Sequence, residues 1–587
     1  MLSLILIFLI SSPFLTFRDN LQSSKYITYA TSLSFSYAIL GFLGISSIFL
    51  KITYIPIFLI LGFLFLILLS LKFYREKLFY FFNQFIEEIK YLRNLEKYKK
   101  TLGFFYIIIL LLLLVSIGPI NHSDTANTYV GYPYQFWKNN SHFIDGNLNQ
   151  GLMGLGDFAN IFYFQDKTTW LIRTSQFIPL TFVFMMMLRR KISNLYLIIF
   201  LTSPVFVQWL TIGKNNFLTE SCLALALLAW YQNKEKKYIS NILILILIAI
   251  SFKISALLIS LPVIFYLIYF YRKELKILSF KGVLKFFTIP LIFSIIFLVT
   301  ILFYRYFLVG NPLYPLLSKY FNPGDQQLLD WEQTLRGWDR GDLFPLWLFI
   351  PKSIGKISFV LGPSNLFLII TAIIYFLRNL KSNNAILTVG IFQFILLLMY
   401  SQGRADYYMS PLILVSAGLP NLKEREFILF KTKFNELLRS FVSLIVFLQF
   451  GMFLISSLYS ITLVLYVIYD YEAGMDKTAY NFYNSRIIEE FSEAPVFSEI
   501  TGMTNLYSNI PFVANQKFDR CFYYDESVPL NQKYEVCMKR EGVKTIVLEK
   551  DKLENNVNFS CKTQNLIRAS RNIFLEEKLT VDFCKLK

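Results

Sequence analysis

The sequence predicts an all-α polytopic transmembrane helix bundle of about 12–14 spans, with a small extracytoplasmic α/β unit at its C-terminus. Three observations lead there. Of 587 residues, 55% are hydrophobic, and the mean hydropathy is +0.49, which places the chain among membrane proteins. Apolar runs near the length that crosses a bilayer recur along the chain, against a standard of about 20 residues per span. The formal charge of +18 is gathered into short Lys/Arg clusters between those runs, as cytoplasmic connectors are marked. The basicity therefore reports topology, and nucleic acid is not an expected partner. The 61 Phe and 37 Tyr fit an AT-rich codon usage as well as an aromatic groove, so no function is read from them.

Taken in order, residues 1–72 form N-terminal transmembrane helices at 1–16, 28–50 and 54–71. The first run lacks a basic n-region and an A-x-A cleavage site, so it reads as a retained helix. The stretch "KFYREKLFYFFNQFIEEIKYLRNLEKYKK" (72–100) sets apolar residues at helical spacing among charges. It predicts an amphipathic helix on the inner membrane face, within a connector at 73–102. The core, 103–470, carries spans at 103–120, 173–188, 193–211, 216–231, 238–252, 254–271, 284–304, 359–377, 385–400, 408–420 and 438–468. If the spans alternate, the basic connectors at 72–100, 189–191, 233–237, 272–276, 378–381 and 423–434 all fall on one side. That side is expected to be the cytoplasm, leaving loops 121–172 and 305–358, and everything after 470, outside.

Residues 471–587 carry no span. "DYEAGMDKTAYNFYNSRIIEEF" is helical in pattern and "GVKTIVLEK" (542–550) reads as a strand, which predicts the external α/β domain. Cys521, Cys537, Cys561 and Cys584 lie in it, while Cys222 lies in a span. Four cysteines in an oxidising compartment allow up to two disulfides of undetermined pairing, against the alternative of free thiols. Their spacing does not match a zinc site.

Ionisable groups near membrane depth are costly and point to function. Asp124, Asp145 and Asp157 lie in the first large external loop; Lys214 and Glu220 frame the outer end of one span; Lys253 sits in the turn "SFKIS"; Arg305 precedes "RYFLVGNPLYPLL"; Arg404 and Asp406 occupy "SQGRADYYMSPL". Any one of these cations could simply snorkel to head groups. Together they place an acid and several cations on one outer surface. That set suits a reaction at a lipid phosphate, with a carboxylate to take a proton and fixed positive charge for the departing phosphate. Asp330, Trp331, Glu332, Arg336, Trp338, Asp339, Arg340 and Asp342 form a second polar and aromatic group in the later loop. It is a candidate substrate contact or a solvated loop.

At these residues the chain resembles the GT-C superfamily of polytopic membrane glycosyltransferases, and in particular bacterial, polyprenyl-phosphate-sugar-dependent members similar to the dolichyl-phosphate-mannose-protein mannosyltransferases. "SDTANTYVGYPYQFW" is similar to their acid-bearing first loop, "GKNNFLTESCLALALLAW" to a helix-start motif, "SFKISALLISLPVI" to a Lys-containing span, "GNPLYPLL" to a Gly-Asn-Pro-Phe-Tyr-Pro loop and "GRADYYMSPL" to an Arg-Tyr-x-x-Pro mouth. The resemblance covers roughly 103–420. Asn216 stands where an Asp is usual, with Glu220 a turn later, and the acid follows a fourth span rather than a first. Thr125 follows Asp124, so the paired acids with which some members hold a metal are not evident.

The resemblance implies a membrane lipid environment, a polyprenyl-phosphate-sugar donor, an acceptor that is a lipid, glycan or protein, and inverting transfer on the extracytoplasmic face of the inner or plasma membrane. Asp124 would be the general base, helped if partial burial raises its pKa. Lys214, Arg404, Lys253 and Arg305 would hold the lipid phosphate, Arg as a fork and Lys as a point charge. His122, Tyr129, Asp157 and Glu220 are candidate substrate contacts, although His122 also reads as a solvated loop histidine. Tyr129, Tyr132, Tyr134, Phe136 and Trp137 are expected to anchor the loop at head-group level. The sequence points to no definite cofactor, and a divalent metal is possible. An O-antigen-type polymerase or ligase would instead use an Arg/His-centred site with Asp124 dispensable. A lipid or glycan transporter would show repeats and midplane charges, and neither is found in the sequence.

Overall fold

The computed structural model describes residues 2–16, 24–50, 54–98, 101–120, 122–139, 148–163, 170–275, 288–337, 344–379, 384–401, 403–419, 432–479, 481–499, 506–513, 515–529, 532–553, 558–568 and 577–587. The apolar segments are helical, from Leu2–Leu15, Ser24–Leu50 and Tyr54–Ser70 through Leu102–Val115 to Ala385–Tyr400, Met409–Gly418 and Thr432–Tyr469. Among the described residues, five helices are long and apolar enough to cross a membrane: Lys25–Leu50, Trp170–Arg189, Ile289–Val309, Gly355–Arg378 and Ser440–Tyr469. Their burial sorts them: Trp170–Arg189 is 72% buried inside the protein, whereas Ile289–Val309 and Ser440–Tyr469 are 28% buried. The first therefore runs through the bundle and the other two line its apolar perimeter. Helices such as Leu102–Val115, at 14 residues, rise only about 21 Å and gain stability from packing inside the bundle.

Two expectations change. The span expected at 193–211 is two helices, Asn194–Leu201 and Val205–Ile212, bent by 44°. Pro204 begins the second and cannot donate to the first, and Ser203 Oγ donates instead to Leu361 O at 2.6 Å. Nor is the 121–172 segment a surface loop throughout. Its Leu155–Phe158 turn is buried against the helix Ser24–Leu50. A Cβ on Gly41 of that helix would lie 1.9 Å from Leu155 O, so only glycine admits the close approach.

The connector helix Lys72–Arg93 buries Tyr74, Leu78, Phe81, Gln84, Glu88 and Leu92, the three-and-four spacing of one helical face. Phe73, Phe79, Phe82, Ile86 and Ile89 remain exposed, as an interfacial helix requires. Glu88 fixes it to the bundle. Arg189 Nη1 donates to both of its carboxylate oxygens, at 2.7 and 2.8 Å, and the carboxylate also accepts from Lys25 at 3.3 Å and from Tyr26 at 2.9 Å. Lys25, Glu88 and Arg189 come from segments that the alternation of spans assigns to one side, and here they meet. Asp124, Lys214 and Arg404, assigned to the other, meet at the opposite role described below.

After Asp470, whose side chain caps the helix Tyr471–Thr478, the chain builds the α/β unit. Strands β1 (Val496–Ser498), β2 (Thr545–Glu549), β3 (Phe559–Arg568) and β4 (Glu577–Leu586) form one sheet in the order β1-β2-β4-β3. β1 and β2 are parallel and the other pairs antiparallel. Helices Asn515–Tyr524 and Lys533–Glu541 lie in the crossover between β1 and β2. Of the sheet, the sequence reading located only β2; β1 is three residues long, β3 is mostly polar, and the alternation of Leu579, Val581 and Phe583 with Thr580 and Asp582 in β4 was the signal it missed. Both disulfides are present, Cys521–Cys537 across the crossover helices and Cys561–Cys584 across β3 and β4. Cys222 is free and buried.

Candidate active site

Asp124 follows the end of Leu102–Val115 and precedes a π-helical turn, Thr125–Tyr129, a wide turn often found at functional sites. Its Oδ2 accepts from Lys214 Nζ at 2.9 Å and from Arg404 at 3.4 Å. Arg404 Nε donates in turn to Asp406 Oδ1 at 3.1 Å. Lys214 Nζ also lies 4.6 Å from the centre of the Tyr129 ring, a cation–π contact. Three segments far apart in sequence thus share one ionic cluster.

Local structure explains how each group arrives. Gly213 ends the helix Val205–Ile212 in the left-handed region, at φ +67°, where glycine is favoured, and this turn delivers Lys214. The next residue, Asn215, donates to Asp157 Oδ1 at 3.1 Å and accepts from Gln176 Nε2 at 2.8 Å. Asp157 also accepts from the Gly154 N–H at 2.9 Å. Arg404 stands in extended backbone before the short turn Ala405–Tyr407. Behind these, the buried Arg173 donates to Leu210 O at 2.6 Å, to Val115 O at 2.5 Å and to Pro119 O. One guanidinium therefore joins the roots of the Asp124 and Lys214 segments, using helix-end carbonyls that would otherwise lack donors. The α/β unit supports the same loop. Leu506 N–H donates to Ala126 O at 3.0 Å, Gln135 Nε2 to Ser508 O at 2.9 Å and Tyr507 OH to Ile120 O at 3.3 Å.

Burial pushes the Asp124 carboxyl up, but Lys214, His122 and Arg404 outweigh it and hold it well below the usual carboxylate range. The expectation that burial raises this pKa is thereby reversed. Asp124 is ionised and, with its charge engaged, a weak base until the cations find another anion. Burial likewise opposes the charge on Asp406, and Arg404, Lys253 and Lys214 overcome it. Burial lowers Lys214 despite Asp124 and brings Lys253 down to about 8.

A cavity of about 510 Å³ opens on this cluster, within the range of small-ligand sites. His122, Ser123, Asp124, Arg404 and Asp406 line one part of it, and Trp347, Lys352, Ser353, Lys356 and Phe359 another. The Asp124 side chain is 33% exposed. His122 is buried, at 5% exposure, and lines the cavity, so it is not a solvated loop histidine. Trp347, Lys352 and Lys356 went unnoticed in the sequence. The one available signal was a short basic and glycine-containing run, "PKSIGK", at the end of an external loop.

Other expected site residues serve elsewhere. Arg305 is 1% exposed and donates to Gly151 O at 3.2 Å and Met153 O at 3.3 Å, holding a loop rather than lining the cavity. Glu220 accepts from the Met409 and Ser410 N–H groups at 3.1 and 3.3 Å, capping the helix Met409–Gly418, a role that occupies its carboxylate. Asp157 is 4% exposed, and burial lifts its pKa to about 6; it braces Asn215 rather than opening to the cavity. Lys253 Nζ stacks 4.0 Å from the Tyr407 ring centre, beside Asp406. Tyr132 and Tyr134 are each 1% exposed, packed into the protein instead of lying at head-group level, because the π-turn and the helix Gly131–Asn139 direct them inward. Glu332 accepts from the Ser318 N–H at 2.8 Å. Asp145, Trp338, Asp339, Arg340 and Asp342 lie outside the described residues, as do the side chains of Phe136 and Trp137. Among the described residues, no three His, Cys, Asp or Glu side chains gather as metal ligands.

No family model matches the chain, and no curated protein matches it. Among solved structures it is similar to the crystal structure of ArnT from Cupriavidus metallidurans in the apo state, at 12% sequence identity and a TM-score of 0.42, over 82% of this chain and 98% of that one.

Proposed function

We propose that the chain is an integral membrane glycosyltransferase of the GT-C type, moving a sugar from a polyprenyl-phosphate-linked donor to a lipid, glycan or protein acceptor. The observation that carries this reading is the meeting of Asp124 with Lys214 and Arg404, with Asp124 and Arg404 lining a 510 Å³ cavity. The order of the motifs that supply those residues supports it. Lys214 and Arg404 bind the donor phosphate, Arg404 through its fork. As the phosphate takes these cations, Asp124 loses the charges that hold its pKa down and becomes basic enough to accept the proton of the acceptor hydroxyl. Attack on the anomeric carbon then expels a phosphate, which leaves without needing a proton. A single carboxylate suffices, unlike the pair used by an inverting glycosidase. The basic connectors at the other ends of the spans support an extracytoplasmic face for the cavity.

Lipid-linked and surface glycans from cells carrying the wild type, a deletion or Asp124→Asn at equal expression, profiled by mass spectrometry, test the assignment. Loss of the same sugar in the deletion and in Asp124→Asn is the expected result, and the missing mass identifies the sugar. His122 and Arg404 lining one cavity also suit an Arg/His-centred polymerase or ligase. That alternative predicts a wild-type profile for Asp124→Asn.

A further inference from the structure

The cavity holds more positive charge than the Asp124 cluster uses. Among the described residues, two acids line it, Asp124 and Asp406, and Lys214 and Arg404 already answer them. Lys352 and Lys356 line the same space on the segment around Ser353 and Gly355. Among the described residues, neither lysine has a carboxylate partner within ion-pair distance; Lys352 Nζ lies 5.5 Å from the Trp347 ring centre. The space around Gly355 is open where a side chain would stand, so a ligand can approach its backbone. Two cations four residues apart, on either side of the extended Ser353, beside an open backbone and lining one cavity, are suited to a group with several anionic oxygens.

We propose that Lys352 and Lys356 form a second anion subsite, which takes a phosphate-class group in addition to the lipid phosphate assigned to Lys214 and Arg404. The proposal rests on the donor reading above for the first anion, and on the two lysines alone for the second. The same chemistry has two sources. The second phosphate is carried either on the donor lipid itself, as a diphosphate, or on a separate anionic acceptor that shares the cavity.

The test uses the full chain in non-ionic detergent, free of phospholipid, with binding of polyprenyl monophosphate and polyprenyl diphosphate measured by thermophoresis. Inorganic phosphate is then titrated onto protein saturated with the monophosphate. The variant is Lys352→Ala/Lys356→Ala, with Lys352→Arg/Lys356→Arg as the charge-preserving control. If the second phosphate belongs to the donor, the Ala variant loses about tenfold or more in diphosphate affinity while monophosphate binding is kept and the Arg variant is unaffected. If it belongs to a separate molecule, wild type saturated with monophosphate still binds inorganic phosphate and the Ala variant does not. The proposal is overturned if wild type binds the two lipids alike and takes no added phosphate, or if the Ala variant matches wild type in both measurements. Absent monophosphate binding, with phosphate still held through the two lysines, would sink the donor assignment and leave the subsite standing.

Discussion

Replacing Asp124 with Asn separates binding from turnover in opposite directions. In the resting protein the carboxylate occupies Lys214 at 2.9 Å and Arg404 at 3.4 Å, the two cations assigned to the donor phosphate. A bound phosphate must therefore compete with Asp124 for them. A hydrogen bond to a charged group contributes about 1.5–3 kcal/mol. With the Asp124 side chain 33% exposed, solvent screening argues for the lower end, about 1.5 kcal/mol or roughly tenfold in affinity. Asn keeps the size and can still accept from Lys214, but it carries no charge and takes no proton. Asp124→Asn is expected to bind polyprenyl monophosphate about tenfold more tightly, measured by thermophoresis in detergent, while sugar transfer falls by roughly 10²–10⁴. Weaker or unchanged binding would mean that Asp124 does not compete with the ligand for these cations. Undiminished transfer would remove it as the base.

Three further outcomes follow from the surrounding structure. Arg173→Gln deletes the charged donor shared by three carbonyls, two of them buried, and is expected to destabilise by roughly 1–3 kcal/mol for each buried carbonyl left without a donor, seen as a clear fall in melting temperature in detergent; an unchanged melt would refute the bracing role. Asp157 has a folded-state pKa raised from 3.8 to about 6, so between those values the native state keeps a proton that the unfolded chain has lost. The stabilisation this brings is complete below about pH 4 and lost as pH rises through 6, on the order of 3 kcal/mol; melting curves of Asp157→Asn should lack that slope, and a slope that persists in the variant excludes Asp157 as its source. Glu220→Ala leaves two N–H groups at a helix start without their acceptor, at a cost of about 1–2 kcal/mol, with monophosphate affinity held within about twofold. A large loss of affinity at an unchanged melting temperature would return Glu220 to substrate contact.

Much of the architecture was legible because the forces behind it are local. Apolar runs set the helices, basic connectors set their alternation, and the sorting of Lys25, Glu88 and Arg189 to one cluster and Asp124, Lys214 and Arg404 to another follows that alternation. Errors arose where a residue's partner lies far along the chain. Arg305 and Glu220 look like phosphate ligands or substrate contacts by position, yet their partners are backbone groups more than 150 residues away. Tyr132 and Tyr134 have the composition of an interfacial belt, and a π-turn that no periodicity announces turns them inward.

The sequence by itself determined the helical class, the strand-bearing C-terminal unit with its four cysteines and the short set of ionisable residues from which a site could be drawn. Only the tertiary structure selected Lys214 and Arg404 as the partners of Asp124 and brought Lys352 and Lys356 to the same cavity. The physical reason is the range of the contacts. Asp124 lies 90 residues from Lys214 and 280 from Arg404, so their meeting depends on how every intervening helix packs, and no local pattern carries that information.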